Sequence, residues 1–165
     1  MARPEADQVH EAAEALVRTL IARGQTIATA ESLTGGLIVG ALTSVAGASA
    51  VVLGGVVTYA TRLKHDLLGV PEKVLRLDGV ISGATVAAMA AGVRRVTGAD
   101  WGIAVSGVAG PDPQEGHLPG EVWVCVQGPR AVPWTNVHHF AGDRADVREQ
   151  TILTALRASL AQLGA

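Results

Sequence analysis

Apolar residues at Val9, Ala13, Leu16, Val17, Leu20 and Ile21 recur at the spacing of one helical face, and Gly24 marks where that helix stops. The next run, Thr26-Ile27-Ala28-Thr29-Ala30, is short and reads as a buried strand. Glu31-Ser32-Leu33 then turns the chain into a second helix expected over residues 34–44. The β-branched stretch from Val51 to Tyr59 predicts another strand, with Gly54-Gly55 placing a bulge in it. A short helix from Thr61 to Leu68 carries Lys64 and ends at Gly69. Ser82 suits the N-cap of an Ala-rich helix that runs to Thr97 and stops at Gly98.

The second half follows a different rhythm. Trp101 to Ser106 reads as a strand, residues 107–120 as a long Gly/Pro loop, and Glu121–Gln127 and Pro133–Phe140 as a hairpin over Gly128-Pro129. Asp143 caps a last helix whose apolar side holds Val147, Ile152, Leu156, Leu160 and Leu163. Helices separated by strands, then neighbouring strands, predict a mixed sheet with helices on both faces. The expected fold is a three-layer α/β/α domain, with residues 1–165 forming one domain.

Composition narrows the function. Only 17% of residues are charged and 48% are apolar, against about 25% charged in ordinary soluble domains. A sparsely charged surface points to a homo-oligomer, most simply a two-fold dimer. The net charge of −2, the lack of a Lys/Arg stripe, and only three Trp, one Tyr and one Phe argue against nucleic-acid binding. The N-terminus lacks the apolar core of a signal peptide, so a cytoplasmic location is expected. Residues 32–61 carry no charge, and Gly36-x-x-x-Gly40 matches a membrane helix-pairing pattern. Gly35, Gly36, Gly47, Gly54 and Gly55 divide that stretch, which reads instead as two buried elements joined by Ala46-Gly47-Ala48-Ser49, with no membrane span. The single Cys125, inside the apolar run 122–126, reads as a buried small hydrophobe.

Four places are candidates for chemistry. In Ala30-Glu31-Ser32-Leu33-Thr34-Gly35-Gly36 a Ser stands where a strand ends and a helix begins. Helix N–H groups there suit an anion, or an oxyanion beside a Ser nucleophile. Equally, Ser32 serves as an N-cap and the glycines allow tight packing. A serine nucleophile needs a base, and the histidines offer no partner pattern. His138 and His139 are adjacent on a strand and point to opposite faces, which disfavours a metal pair.

Lys64 is the alternative base. If both strands are central in the sheet, Tyr59 and Lys64 come near Ser32, and uncharged surroundings lower the lysine's affinity for its proton. Glu31 should point to the face opposite Ser32. Without such neighbours a lysine after a strand is simply a solvated surface residue. The third place is Ser106-Gly107-Val108-Ala109-Gly110-Pro111, a loop able to wrap a ligand or merely to turn. The fourth is Gly142-Asp143-Arg144, where an Arg in a first helical turn opposes the helix dipole. A bound phosphate or a carboxylate elsewhere in an oligomer would compensate it.

Together and in order, these segments resemble the C-terminal domain family of the competence/damage-inducible protein CinA, also found as the stand-alone nicotinamide-nucleotide amidase. The likeness runs from about Leu16 to Leu160. It includes Gly47-Ala48-Ser49, Gly55-Val56-Val57-Thr58-Tyr59, Leu67-Leu68-Gly69-Val70, Gly79-Val80-Ile81-Ser82 and Phe140-Ala141-Gly142-Asp143-Arg144 beside the blocks above.

The resemblance implies hydrolysis of the carboxamide of nicotinamide mononucleotide to nicotinic acid mononucleotide and ammonia, without metal or organic cofactor. The family's Ser and Lys fall on Ser32 and Lys64, with Tyr59 beside them. The substrate is then expected on Thr34, Gly35, Gly36, Ser106, Gly107, Gly110 and Arg144, the first three offering amides to the oxyanion. Larger members carry an N-terminal domain similar to molybdopterin-binding proteins, for which this chain has no room. Leu33 stands where the family commonly has Cys, Thr61 where it has Asn, and Ser106 where it often has Thr. The loop 112–119 lacks the usual double glycine after Gly-Pro. The competing reading is a non-catalytic nucleotide- or anion-binding module built on the same loops, with Lys64 as a phosphate ligand and Ser32 as a cap.

Overall fold

The computed structural model describes residues 6–130 and 132–165. Strands β1 (Ile27–Glu31), β2 (Val52–Val57), β3 (Trp101–Gly107), β4 (Glu121–Gln127) and β5 (Trp134–His139) form one sheet in the order β2-β1-β3-β4-β5. The first three are mutually parallel, while β4 and β5 are antiparallel to their neighbours, so the sheet is mixed. Helices α1 (Ala6–Arg23), α2 (Leu37–Thr43) and α6 (Arg144–Leu163) pack on one face. The other face carries α5 (Gly83–Thr97), with α3 (Thr61–Leu68) beside it and α4 (Glu72–Leu77) against the outer side. This is the three-layer α/β/α arrangement.

Strand alternation splits the core in two. Ile27, Ile103, Val105, Val122, Val124 and Val126 face the α1/α2/α6 layer. Ala28, Ala30, Ala104 and Cys125 face α5. The fully buried strand positions under α5 are thus small, which lets that helix lie close to the strands, with Val56 and Trp123 half-buried beside them. Cys125 is fully buried, and its thiol is pushed up to about 11 by that burial, as suits an inert small hydrophobe.

The boundary signals act where expected at several ends. The Ser82 hydroxyl accepts from Thr85 N at the start of α5, and Gly98 closes it in the left-handed region. Asp143 and Asp146 form a reciprocal capping box at the start of α6. Three expectations need correcting. The second helix starts at Leu37, not at residue 34, because residues 34–36 form a turn around the Glu31 carboxylate. The bulge in β2 falls at Leu53, which the β1–β2 register skips between Val52 and Gly54, ahead of the Gly-Gly pair. Helix α4 was not anticipated: it buries no residue fully, so it leaves no apolar periodicity to read.

β2 is an edge strand. The condition that both strands be central is therefore not met, and it is not needed. It is enough that β1 and β2 are parallel neighbours, since their C-terminal ends then emerge side by side. The chain leaves β1 toward β2 on one side, while β3 flanks β1 on the other, so the loops beyond β1 and β3 diverge and open a crevice at the carboxyl ends of the strands. Among the described residues, no helix is long and apolar enough to cross a membrane.

Candidate active site

Alternation along β1, continued one residue beyond it, decides where Glu31 and Ser32 point. Glu31 turns toward α2 and is fully buried. Its carboxylate accepts from Thr29 Oγ1 (3.1 Å), Thr34 Oγ1 (2.6 Å), Gly36 N (3.0 Å), Ile38 N (3.1 Å) and Val39 N (2.8 Å). A charge taken out of water is thereby matched with five donors and the N-terminal end of a helix. Gly36 makes this possible: at φ 96° it takes a conformation L side chains rarely adopt. Ser32, one residue on, faces the other way into the crevice.

Lys64 meets it there. It sits on the buried side of α3 with Leu68 and is only 2% exposed. Its Nζ lies 3.3 Å from Ser32 Oγ and donates to the Thr58 carbonyl oxygen at 2.6 Å. Burial draws its pKa from 10.5 down to about 8, against the opposing pull of the Glu115 carboxylate. An amine so placed is neutral in a sizeable fraction at physiological pH. With one N–H given to Thr58, its lone pair is free to take the serine proton.

The crevice is a cleft of about 190 Å³ whose floor carries Ser32, Lys64 and Ser106 and whose walls include Leu33, Val80 and the 107–110 loop. Ser106 is 2% exposed, and its hydroxyl donates to Val80 O at 2.7 Å, tying the end of β3 to the turn before α5. Gly107 is required by packing, since a Cβ there would lie 2.5 Å from Glu121 O. Arg144, in the first turn of α6, donates to Gly110 O (2.8 Å) and to Tyr59 Oη (3.0 Å). Its clash with the helix dipole is answered inside the chain by the Asp143/Asp146 box.

Of the residues expected at the site, Ser32, Lys64, Tyr59, Ser106, Gly107, Gly110 and Arg144 line this one cleft. Thr34, Gly35 and Gly36 do not. The Gly35 amide donates to Ser32 O, the Gly36 amide to Glu31, and the Thr34 hydroxyl to Glu31. The amides of Gly35 and Gly36 are thus already bound, and an oxyanion needs other donors. Leu33, Ala109 and Gly110 line the cleft, and among the described residues no protein acceptor is bonded to their amides. Tyr59 is 62% exposed at the rim, with its hydroxyl on Arg144 and not on the Ser–Lys pair.

Two contributors lay outside the expected set. Arg148 on α6 donates to Leu33 O (2.9 Å) and Thr34 O (3.2 Å), holding the turn that follows Ser32. Asp112 and Gln114 bring the altered loop into the cleft wall. A loop departing from its family's pattern was the available signal for the second; nothing local marks the first. Among the described residues, no group of three or more His, Cys, Asp or Glu side chains is gathered as a metal site.

Comparison with known proteins places this geometry. Residues 9–163 match the CinA C-terminal domain. A CinA-like protein of Frankia casuarinae is 47% identical over 83% of this chain and 31% of its own length. A CinA-like protein of Synechococcus is 50% identical over 71% of this chain and 28% of its own. The chain spans about a third of the length of the curated relatives it matches. Among solved structures, a competence-damaged protein (CinA) superfamily protein from Klebsiella pneumoniae superposes with a TM-score of 0.91 at 36% identity, covering 94% of this chain and 98% of the other. The competence/damage inducible protein CihA from Agrobacterium tumefaciens gives 0.91 at 34%, covering 100% and 99%. Sequence and fold agree over nearly every described residue, and the chain belongs to the CinA C-terminal domain family.

Proposed function

We propose that the protein hydrolyses the carboxamide of nicotinamide mononucleotide, with Ser32 as nucleophile and Lys64 as its base. The observation that carries this reading is the buried Lys64 amine 3.3 Å from Ser32 Oγ, its pKa drawn down to about 8. Ser32 Oγ attacks the amide carbon while its proton passes to Lys64 Nζ. The oxyanion sits against the amides of Leu33 and of the Ala109–Gly110 segment. Lys64 returns the proton to the departing nitrogen, the C–N bond breaks, and ammonia leaves an acyl-Ser32. Water then attacks that ester, giving a proton to Lys64; the C–Oγ bond breaks, Lys64 hands that proton to Ser32 Oγ, and the product leaves as its carboxylate. Arg144, held by Gly110 O and Tyr59 Oη at the rim, receives the phosphate.

The buried state of Lys64 also weighs against the binding-module reading. A lysine that recognises phosphate presents a charged, accessible ammonium. This one is 2% exposed and bonded inward. The test is direct: purified protein is incubated with nicotinamide mononucleotide, and ammonia and the acid product are measured in equal amounts. Tight binding without ammonia release would overturn the enzymatic reading and support the module.

A further inference from the structure

Asp112 and Gln114 stand in the wall of the cleft, on the loop that follows Gly110-Pro111. Both are exposed, and among the described residues neither side chain has a hydrogen-bond or ion-pair partner. Asp112 follows Gly110 by two residues, and Gly110 O is held by Arg144. The loop that carries Asp112 therefore leaves from the Arg144 end of the cleft, and it runs on to Glu115, whose charge acts on Lys64.

Water satisfies the exposed Asp112 carboxylate in the open cleft, and a ligand that displaces this water must offer donors in its place. Ionised Asp only accepts hydrogen bonds. A phosphate on Arg144 offers it no donor and repels it. The carboxamide is committed to Ser32 at the floor. If the substrate is a ribosylated carboxamide, as proposed above and on which this inference rests, the donors left between the two ends are the sugar hydroxyls. Two neighbouring hydroxyls match the two oxygens of one carboxylate, and the Gln114 amide adds a group that both donates and accepts.

We infer that Asp112, supported by Gln114, is a specificity-determining residue that reads the vicinal hydroxyls of the ribose, so that this chain selects ribosylated carboxamides with an intact diol. Arg144 and Asp112 then divide the recognition: the arginine takes the anionic end, the aspartate the sugar. Substrates lacking either feature reach the Ser–Lys pair poorly placed.

The test separates binding from chemistry. Affinities of nicotinamide mononucleotide and its 2′-deoxyribose counterpart are measured by calorimetry on Ser32→Ala protein and on Ser32→Ala/Asp112→Ala protein, and ammonia release is followed in parallel with Ser32 intact. Asp112 is exposed on a loop, so its removal leaves folding intact, as a thermal melt checks. The expected result is a preference of about tenfold or more for the ribose ligand (one good charge-assisted bond, about 1.4 kcal/mol per tenfold). It falls to within twofold in the Asp112→Ala background, and Asp112→Asn restores part of it. With Ser32 intact, Asp112→Ala raises KM and changes kcat little. Equal affinity for the two ligands, a preference that survives Asp112→Ala, or no binding of either overturns the assignment. Binding with an Asp112-dependent preference but no ammonia release upholds it and removes the amidase reading instead.

Discussion

Arg144 reaches from the first turn of α6 to the hydroxyl of Tyr59, 85 residues earlier in the chain, and donates to it at 3.0 Å while its other terminal nitrogen holds Gly110 O. The bond joins the loops that follow β2 and β3 across the mouth of the cleft. It also fixes the guanidinium plane without neutralising it, since both acceptors are uncharged.

Recognition of the substrate phosphate by Arg144 follows. Arg144→Ala should raise KM for nicotinamide mononucleotide by about tenfold to a hundredfold, the worth of a charge-assisted pair of about 1.5–3 kcal/mol, with a smaller change in kcat. Tyr59→Phe should raise it only a few-fold, because one neutral hydrogen bond to the arginine is lost. Free nicotinamide should be a poor substrate for the wild type and unaffected by either change. Steady-state kinetics on both substrates checks this; equal turnover of nicotinamide and its mononucleotide would contradict it.

Glu31 carries a stability prediction. Its removal strands three backbone amides and two hydroxyls around a buried space, at about 1–3 kcal/mol for each buried donor that water cannot reach. Glu31→Ala should cost on the order of 4 kcal/mol, a fall in Tm of roughly 10 °C for a domain of this size. Glu31→Gln should also destabilise, since its NH₂ group faces donors. Thermal melts at neutral pH decide it, and a change under about 1 kcal/mol in Glu31→Ala would refute the anchoring role.

The lowered Lys64 pKa fixes two pH dependences. The base must be neutral, so log kcat/KM should rise with unit slope below about pH 8 and level off above it. Stability changes in the same direction. Below about 8 both folded and unfolded chains hold the proton; between 8 and 10.5 the unfolded chain holds it more often; so the folded state gains as pH rises through that window. Relative to Lys64→Met, the wild type should gain about 3 kcal/mol across it. Denaturant titrations of both proteins from pH 7 to 10.5 read the difference, and a flat difference would refute the desolvated amine.

How much of this was legible in the chain depends on range. Gly24, Ser82, Gly98 and Asp143 punctuate helices through interactions confined to a few residues, and those ends fell where the sequence places them. Helix α4 turns only the half-buried Val74 and Leu75 to the core, too short a face to set a periodicity. The Ser32–Lys64 meeting depends on β1 and β2 being parallel neighbours, a non-local fact that no local motif encodes. The sequence offers the Gly35 and Gly36 amides to a ligand because a helix start looks the same whether its N–H groups await an anion or are already bound, here to Ser32 O and to the Glu31 carboxylate. A carboxylate at the end of the preceding strand is the clue that the Gly36 amide is taken.

The Ser32–Lys64 pair gives the sharpest test. A nucleophile and its base act as one unit, so their losses should not add. Ser32→Ala should lower turnover by several orders of magnitude, as should Lys64→Ala, with the double variant little worse than either. Lys64→Arg should fail as well, since a guanidinium stays protonated and cannot receive the serine proton. The wild-type contact leaves little room for it, with the amine 3.3 Å from Oγ and 2.6 Å from Thr58 O. A phosphate-binding lysine predicts the reverse: arginine preserves affinity, and losing the Ser32 hydroxyl costs about 1 kcal/mol as a lost cap. Ammonia release is the readout, with a thermal melt to show that each variant is folded. Near-normal release by Ser32→Ala or Lys64→Arg would defeat the Ser–Lys mechanism even with the substrate correctly identified.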